Sequence, residues 1–437
     1  MQFLKISFLG LWGFTLGIPY GSRAQTAPSG DSSFVWDLSK CLDYARKNNI
    51  QLNKLRLSQQ SGSQDYFLSK YAQWPLVSAQ LSHALTHYPS QTAPQGSYGI
   101  NGSLTLYSGG LLKNDIRQKK LLVDSYGLNV QEQENNLTLQ IVQEYLSILL
   151  SKENIIYLTE LLSTSQAQLK LGEQQYQAGT LAKKDLAILQ AQLAADKYSL
   201  VNAQNLKRYY LLNLKQLLLL PVVSQLDVAE PDTMAIGAPA ASLQTVEDFA
   251  LQNRPEIRNA AIGVKVAQLE LAKARSGYKP FITASGNLFS NYPGIPSQVY
   301  SKTLENNFYQ QVGVLLSIPI FSKKINDVNV EKSKIGIAQA GLDETNAKTV
   351  LLQSIEQSYI AVLNAQSQFE AAVEELTATT ESYRIAAEQL RIGAANTVEY
   401  LQQKTLFVQA MQQYIQAKYS AILNIKIYKF YHGIPIQ

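Results

Sequence analysis

One pattern constrains this chain more than any other: most of it is written twice, at two fixed offsets. Adding 205 to Asp43, Ala45, Asn48 and Pro75 gives Asp248, Ala250, Asn253 and Pro280. Adding 214 to Gly99, Ser108, Tyr145, Gly179 and Pro221 gives Gly313, Ser322, Tyr359, Gly393 and Pro435. One insertion between Pro280 and Gly313 accounts for the change of offset. The matches include proline and glycine, which fix where elements start and stop, so what repeats is structure. A length of 437 residues ordinarily suggests two or three domains. Here the duplication predicts one body of two copies, residues 38–221 and 243–437, joined by a linker at 222–242.

The first residues stand apart. Lys5, an apolar run over 6–18 and the small-residue site Ser22-Arg23-Ala24 are the parts of a signal peptide, residues 1–24, cleaved before Gln25 and followed by a short linker at 25–37. Export is therefore expected. Cys41 is the only cysteine, so no internal disulfide forms, and it lies too far past the signal to carry a lipid; a small core residue is expected there. Removing Lys5 and Arg23 lowers the formal charge from +5 to +3 (5 − 2), too weak and dispersed for a nucleic-acid partner. No later segment has the roughly 18 uninterrupted apolar residues of a transmembrane helix, so any entry into a membrane must be made by strands.

Each copy opens with an amphipathic helical segment, residues 38–48 and 243–253, and a second helix that ends near Trp74-Pro75 and Lys279-Pro280, where proline forces the chain out of helix. A period of two follows. Val77, Ala79, Leu81 and Leu85 alternate with Ser78, Gln80, Ser82 and Thr86, and Tyr98, Ile100, Leu104 and Leu106 alternate with Asn101, Ser103 and Thr105. The second copy repeats this with Ile282, Ala284 and Leu288, then with Val312, Val314, Leu316, Ile318 and Ile320. Strands are predicted at about 76–88 and 97–107, and at about 281–292 and 308–321, forming two hairpins with Pro, Gly, Ser and Asn at their tips.

After each hairpin the pattern changes to seven. Ile141, Ile148, Ile155, Leu162, Leu169 and Tyr176 recur every seven residues, as do Ile355, Val362, Phe369, Leu376, Tyr383 and Leu390, which predicts coiled coils. The chain turns at Gly179 and Gly393 and returns, giving helical hairpins over about 109–219 and 323–430. The lengths close. At about 1.5 Å per residue, the outgoing helix of roughly 70 residues spans about 105 Å and the returning helix about 58 Å, and the pre-strand helix supplies about 38 Å of the difference.

Four strands of roughly ten residues match an outer-membrane span yet are too few to close a barrel. Lipid tolerates no unpaired edge, so several protomers must pool their strands, and three give an even twelve, with apolar stripes toward lipid and Ser, Thr, Asn and Gln toward the lumen. The expected fold is thus mainly α with a β-barrel portion. An alternative from another class is a secreted coiled-coil scaffold without a pore; a simple diffusion porin would leave the long helices unused.

The strand-to-helix phrases Ser317-Ile318-Pro319-Ile320-Phe321 and Leu104-Thr105-Leu106-Tyr107-Ser108-Gly109-Gly110 resemble those of the TolC-like outer-membrane efflux proteins, or outer-membrane factors. So do the tip phrases Tyr176-Gln177-Ala178-Gly179-Thr180 with Asp185-Leu186, and Leu390-Arg391-Ile392-Gly393-Ala394 with Glu399-Tyr400. The resemblance covers nearly the whole mature chain. It implies a homotrimer with a twelve-stranded barrel, a helical tunnel reaching into the periplasm, and an equatorial collar of short helices, linker and chain ends. It also implies docking on a periplasmic adaptor (a membrane fusion protein) bound to an inner-membrane pump or secretion transporter that supplies the energy, and opening by an outward movement of the second helical hairpin. Two departures bear on adaptor specificity: Thr105 stands where the second copy has Pro319, and the first tip carries Lys183-Lys184.

No nucleophile, phosphate loop or metal motif stands out, and a duct requires no cofactor. His83 and His87 share a strand face without carboxylate or thiolate company, which favours a place on the barrel rim over a metal site, and His432 reads as a solvated terminal residue. The candidate adaptor-docking residues are Gly179, Thr180 and Leu181 at one tip and Gly393, Ala394 and Ala395 at the other. Glu381 and Glu388 lie seven residues apart on one helix face, where a threefold arrangement brings them together as rings; they are the candidate tunnel gate.

Overall fold

The computed structural model describes residues 34–89, 91–230, 241–294 and 299–436. The signal peptide, most of the N-terminal linker, the middle of the inter-repeat linker and part of the second strand-hairpin tip lie outside these residues. The elements after Phe34 form one compact unit.

The duplication is carried into the four repeated helices residue for residue. Strand β1 (Val35–Trp36) precedes α1 (Leu38–Asn48), α2 (Ile50–Tyr71), β2 (Leu76–Tyr88), β3 (Gln91–Ser108), α3 (Leu111–Gln177) and α4 (Lys183–Leu217). After β4 (Asp227–Val228) the second copy runs α5 (Leu243–Asn253), α6 (Pro255–Ser276), β5 (Phe281–Tyr292), α7 (Tyr300–Asn306), β6 (Tyr309–Ser317), α8 (Ile325–Arg391) and α9 (Thr397–Tyr431). Helices α1 and α2 map onto α5 and α6 at an offset of 205, and α3 and α4 map onto α8 and α9 at 214. Local chemistry sets the boundaries. Asp37 caps α1 through Lys40 N–H at 2.7 Å, Asn49 caps α2 through Leu52 N–H at 3.0 Å, and Pro255 occupies the first turn of α6, where its missing N–H costs nothing.

The four longer strands form one antiparallel sheet in the order β2-β3-β5-β6. Its register sorts residues cleanly onto two faces. Val77, Gly102, Gly286 and Val312 share one row, and Ser78, Asn101, Asn287 and Gln311 share the next row on the opposite face. Large residues of the apolar face are exposed, among them Leu81 at 76% and Val312 at 88%. None of the four strands contains Asp, Glu, Lys or Arg. The polar face is interrupted by Phe289, whose ring lies over Gly99: a Cβ on that glycine would meet it at 3.0 Å.

Three departures from the sequence pattern have local causes. Strand β3 begins at Gln91 rather than near residue 97, because Pro94 and Gly96, which read as loop signals, sit in a strand pair whose register runs on to Tyr88 and Gln91. Strand β6 stops at Ser317, ahead of Pro319, whose ring nitrogen donates no ladder bond. The inserted residues of the second strand hairpin contain the short helix α7, and its Tyr300 stacks edge-on against Tyr292 at 4.9 Å.

The long helices form the core below the sheet. Helix α3 packs on α2, α4, α6 and α9, while α8 packs on α6 and α9. Ile141 and Ile148, like Ile355 and Val362, are buried as the heptads predict. Below them the buried stripe steps by three residues, to Ser151, Leu158, Ser165 and Gly172 in one copy and Ala365, Ala372 and Ala386 in the other, leaving Leu162 and Leu169 half-buried and Tyr176 exposed. A three-residue insertion in a heptad pattern overwinds a coiled coil, and the same step falls at equivalent positions in both copies. Among the described residues no helix is long and apolar enough to cross a membrane.

Candidate functional site

The two helical hairpins end in the same backbone device. At the first tip Thr180 N–H donates to Gln175 O at 2.9 Å and Gly179 adopts φ +74°. At the second, Ala394 N–H donates to Gln389 O at 2.8 Å and Gly393 adopts φ +76°. Both are left-handed helix ends of the kind glycine accommodates at no steric cost. A Cβ on either glycine would meet nothing within 4 Å, so backbone conformation alone demands glycine and the surface around it is open.

The candidate docking residues divide on this geometry. Gly179, Thr180, Gly393 and Ala394 are exposed, and Ala395 is half-buried. Leu181 instead folds back on its own hairpin, within 3.4 Å of the position a Cβ on Gly172 would take. The electrostatics of the tips also differ. Asn396 caps α9 through Glu399 N–H at 2.9 Å, with that carboxylate in the first helical turn. Helix α4 has no side-chain cap and carries Lys183 and Lys184 in its first turn, against its dipole, beside Asp185.

Glu381 and Glu388 are exposed on one face of α8, each held by an arginine one turn on. Glu381 accepts from Arg384 at 2.8 and 2.8 Å, and Glu388 accepts from Arg391 at 2.9 and 2.6 Å. These guanidinium bonds keep both carboxyls below the usual glutamate range. The face is therefore a ladder of Glu–Arg couples rather than bare carboxylates.

A buried cluster above the tips escaped the sequence reading. Lys404 of α9, 1% exposed, donates to Asp196 of α4 at 2.6 Å and to Ser165 of α3 at 2.6 Å. Gln192 donates to the second Asp196 oxygen at 2.9 Å. Burial pulls the Lys404 ammonium below its ordinary value, and the Asp196 carboxylate opposes that shift. This cluster ties the second helical hairpin to the first within one protomer. The lysine and aspartate are 208 residues apart in the chain, so no local motif announces them.

Near the middle of the rods, β1 pairs in parallel with β4 and binds the start of the chain to the inter-repeat linker. Asp227 of β4 contacts Lys152 at 3.1 Å and Lys207 at 3.3 Å. Partial burial raises its carboxyl, but the Val228 N–H and the two lysines outweigh this and leave it below the usual range. Tyr145 donates to Ala229 O at 2.6 Å, closing the same junction.

On the sheet's apolar face His83 Nδ1 lies 3.1 Å from Tyr98 Oη, which lies 2.6 Å from Tyr300 Oη, and His87 Nδ1 lies 2.7 Å from Thr92 Oγ1. The two imidazoles thus serve separate cross-strand contacts. Among the described residues no group of three His, Cys, Asp or Glu side chains is placed to hold a metal. His432 is not merely solvated: its ring packs edge-on against Phe249 at 5.4 Å, because Gly433 turns the chain back over α5.

Comparison with known proteins agrees with this architecture. Residues 41–218 and 248–424 match the model of the outer membrane efflux protein family, one segment in each copy of the repeat. The outer membrane efflux protein BepC of Brucella suis is 21% identical over 408 residues, covering 91% of this chain and 85% of BepC. The solved structure of CusC superposes with a TM-score of 0.79 at 18% identity, covering 94% of this chain and 95% of that one. The CmeC outer membrane channel of Campylobacter jejuni superposes with a TM-score of 0.74 at 20% identity, covering 91% and 86%. With a mostly helical body, one four-stranded sheet and both halves matched by one family model, the chain belongs to the outer membrane efflux protein family, the TolC-like outer-membrane factors.

Proposed function

We propose that three copies of this chain form an outer-membrane duct: a twelve-stranded barrel continued into the periplasm by the helical hairpins, carrying cargo delivered by an inner-membrane pump or secretion transporter through a periplasmic adaptor. The observation that carries this reading is the sheet. Its apolar face is bare, its strands lack formal charge, and both edge strands, β2 and β6, have a free side among the described residues. Such a sheet is an aggregation hazard in water and a finished surface in lipid once its edges meet those of other copies. A soluble scaffold has no use for such a face. The chain serves as the conduit, and the energy for export comes from the inner-membrane partner.

The tips are the docking ends, with Gly179 and Thr180 on one hairpin and Gly393, Ala394 and Ala395 on the other. The second tip presents open backbone, whereas Lys183 and Lys184 give the first a basic rim. The Glu381 and Glu388 couples, repeated three times around the axis, form the tunnel gate, which opens as α8 and α9 swing outward. Two measurements test the reading. Purified protein added to a planar lipid film is expected to carry ions, and a failure to insert contradicts the duct. Gly393→Trp, which places a bulky ring on the open turn, is expected to assemble normally yet abolish export; unimpaired export rules out docking at that tip.

A further inference from the structure

The repeat contains its own template for the contact between copies. Helix α3 lies against the long pre-strand helices of both repeats, α2 of its own and α6 of the next, while its counterpart α8 packs on α6 and the shorter α5, both of its own repeat. The flank of α8 equivalent to the α3–α6 contact is bare: Leu128 on α3 is 5% exposed and its counterpart Leu342 is 71% exposed. Val328, Ile335 and Leu342 form an exposed apolar stripe every seven residues, an unpartnered coiled-coil seam. Helix α2 carries a matching one, with Ile50, Leu57 and Tyr71 exposed at multiples of seven.

The charges supply the register. Within the protomer Gln118 of α3 donates to Glu270 of α6 at 2.8 Å, and Asn259 of α6 donates to Asn129 of α3 at 2.6 Å. Moving α3 onto α8 by 214 and α6 onto α2 by 205 turns the first pair into Lys332 with Asp65 and the second into Asp343 with Lys54. Both transposed pairs are of opposite charge, and all four side chains are exposed in the protomer. Of the four, Asp65 has a long-range contact, 3.9 Å from Lys119. A third template contact, Lys273 with Asp115 at 2.9 Å, transposes to Leu68 with Asn329 and carries no charge.

We propose that α8 of one copy packs on α2 of the next copy as α3 packs on α6 within the protomer, with Lys332 against Asp65 and Asp343 against Lys54 across the junction. The helices run antiparallel, and the pairing brings the free edge of β6 toward that of β2, so one displacement joins both the rods and the sheets. The inference rests on the oligomeric duct reading and adds to it a residue-level register. Exposed ion pairs contribute little stability, so these charges act by selecting the register rather than by holding the copies together.

Cysteine cross-linking of the full chain, extracted from membranes in detergent, tests it. Asp65→Cys/Lys332→Cys and Lys54→Cys/Asp343→Cys are each expected to give covalent dimers and trimers with a short bismaleimide, whereas the single variants give none. Asp65→Cys/Asp343→Cys, displaced by eleven residues or about 16 Å along the helix, is expected to give none. Cys41 is buried, and its thiol is pushed up to about 12 by that burial, so it stays silent. In parallel, Asp65→Lys and Lys332→Asp are each expected to lower the yield of trimer, and the double exchange to restore it. A native trimer that fails to cross-link at both pairs, or that links equally at the displaced pair, overturns the register and leaves the duct standing. Absence of any native trimer overturns the duct itself.

Discussion

The two halves of this chain share the lengths of their four repeated helices yet differ in what covers them. In the first half, α3 is enclosed between α2 and α6 and closed below by α4 and α9. In the second, α8 has one flank covered and one flank bare, with Ile325, Val328, Ile335 and Leu342 all exposed. Duplication makes one junction internal and leaves its twin uncovered in the protomer. The same holds for the sheet, where the β3–β5 pairing joins the two copies and β2 and β6 end it. In the proposed assembly the incomplete half is where the next copy joins.

The contrast is broken most severely at the buried link between hairpins. Asp196→Ala leaves the Lys404 ammonium without its charged partner in a buried site and is expected to cost about 3–5 kcal/mol, read as a large fall in thermal midpoint. Replacing both partners by apolar residues of similar volume, Lys404→Met with Asp196→Leu, should recover most of that loss. If the double variant is as unstable as the single, the charge is not the source of the cost.

Next in size is the pair Leu128 and Leu342. Leu128→Ala is expected to destabilise the folded chain by about 2–5 kcal/mol, as large-to-small changes in packed interiors do. Leu342→Ala, at the equivalent but bare position, should leave helix content unchanged by circular dichroism while lowering the yield of trimer. Equal losses of helix content would mean that the two halves are covered alike.

Acidification sharpens the comparison at the β1–β4 junction. The folded carboxyl of Asp227 titrates below its unfolded value, so its contribution is present above the usual aspartate range and is lost as pH falls through the folded value. Asp227→Asn is expected to flatten the acid limb of the stability profile, because Lys152 and Lys207 then face a neutral amide. An unchanged acid limb would place the pH sensitivity elsewhere. The smallest effect belongs to Glu388→Gln, which should leave stability unmoved, since the Glu388–Arg391 pair is exposed, and should reduce cation selectivity in single-channel records. Unchanged conductance and selectivity would remove Glu388 from the gate.

Much of the fold was legible because its signals are local. Pro75 and Pro280 end helices, Gly179 and Gly393 take the left-handed turn, and period two gives way to period seven at the strand-to-helix junctions. The strand tips were less legible. Pro94 and Gly96 read as loop yet lie in β3, where pairing with Leu85 and His83 on one side overrides their weak strand propensity. The heptads were right in kind and wrong in phase near the tips, since the step from Ile148 to Ser151 puts small residues into the seam and no apolar periodicity reports a buried serine or glycine. Of the candidate site, the tip glycines were visible as turns, and Glu381 and Glu388 as a spacing. Their arginine partners at i+3 were equally readable in the chain. The Lys404–Asp196–Ser165 cluster was not, because it exists only once α3, α4 and α9 are packed together.

The native mass of the particle extracted from outer membranes in detergent tests the central claim most directly. The account predicts a mass three times that of the mature chain, recovered from the membrane fraction. A single-chain mass recovered from the soluble fraction contradicts it.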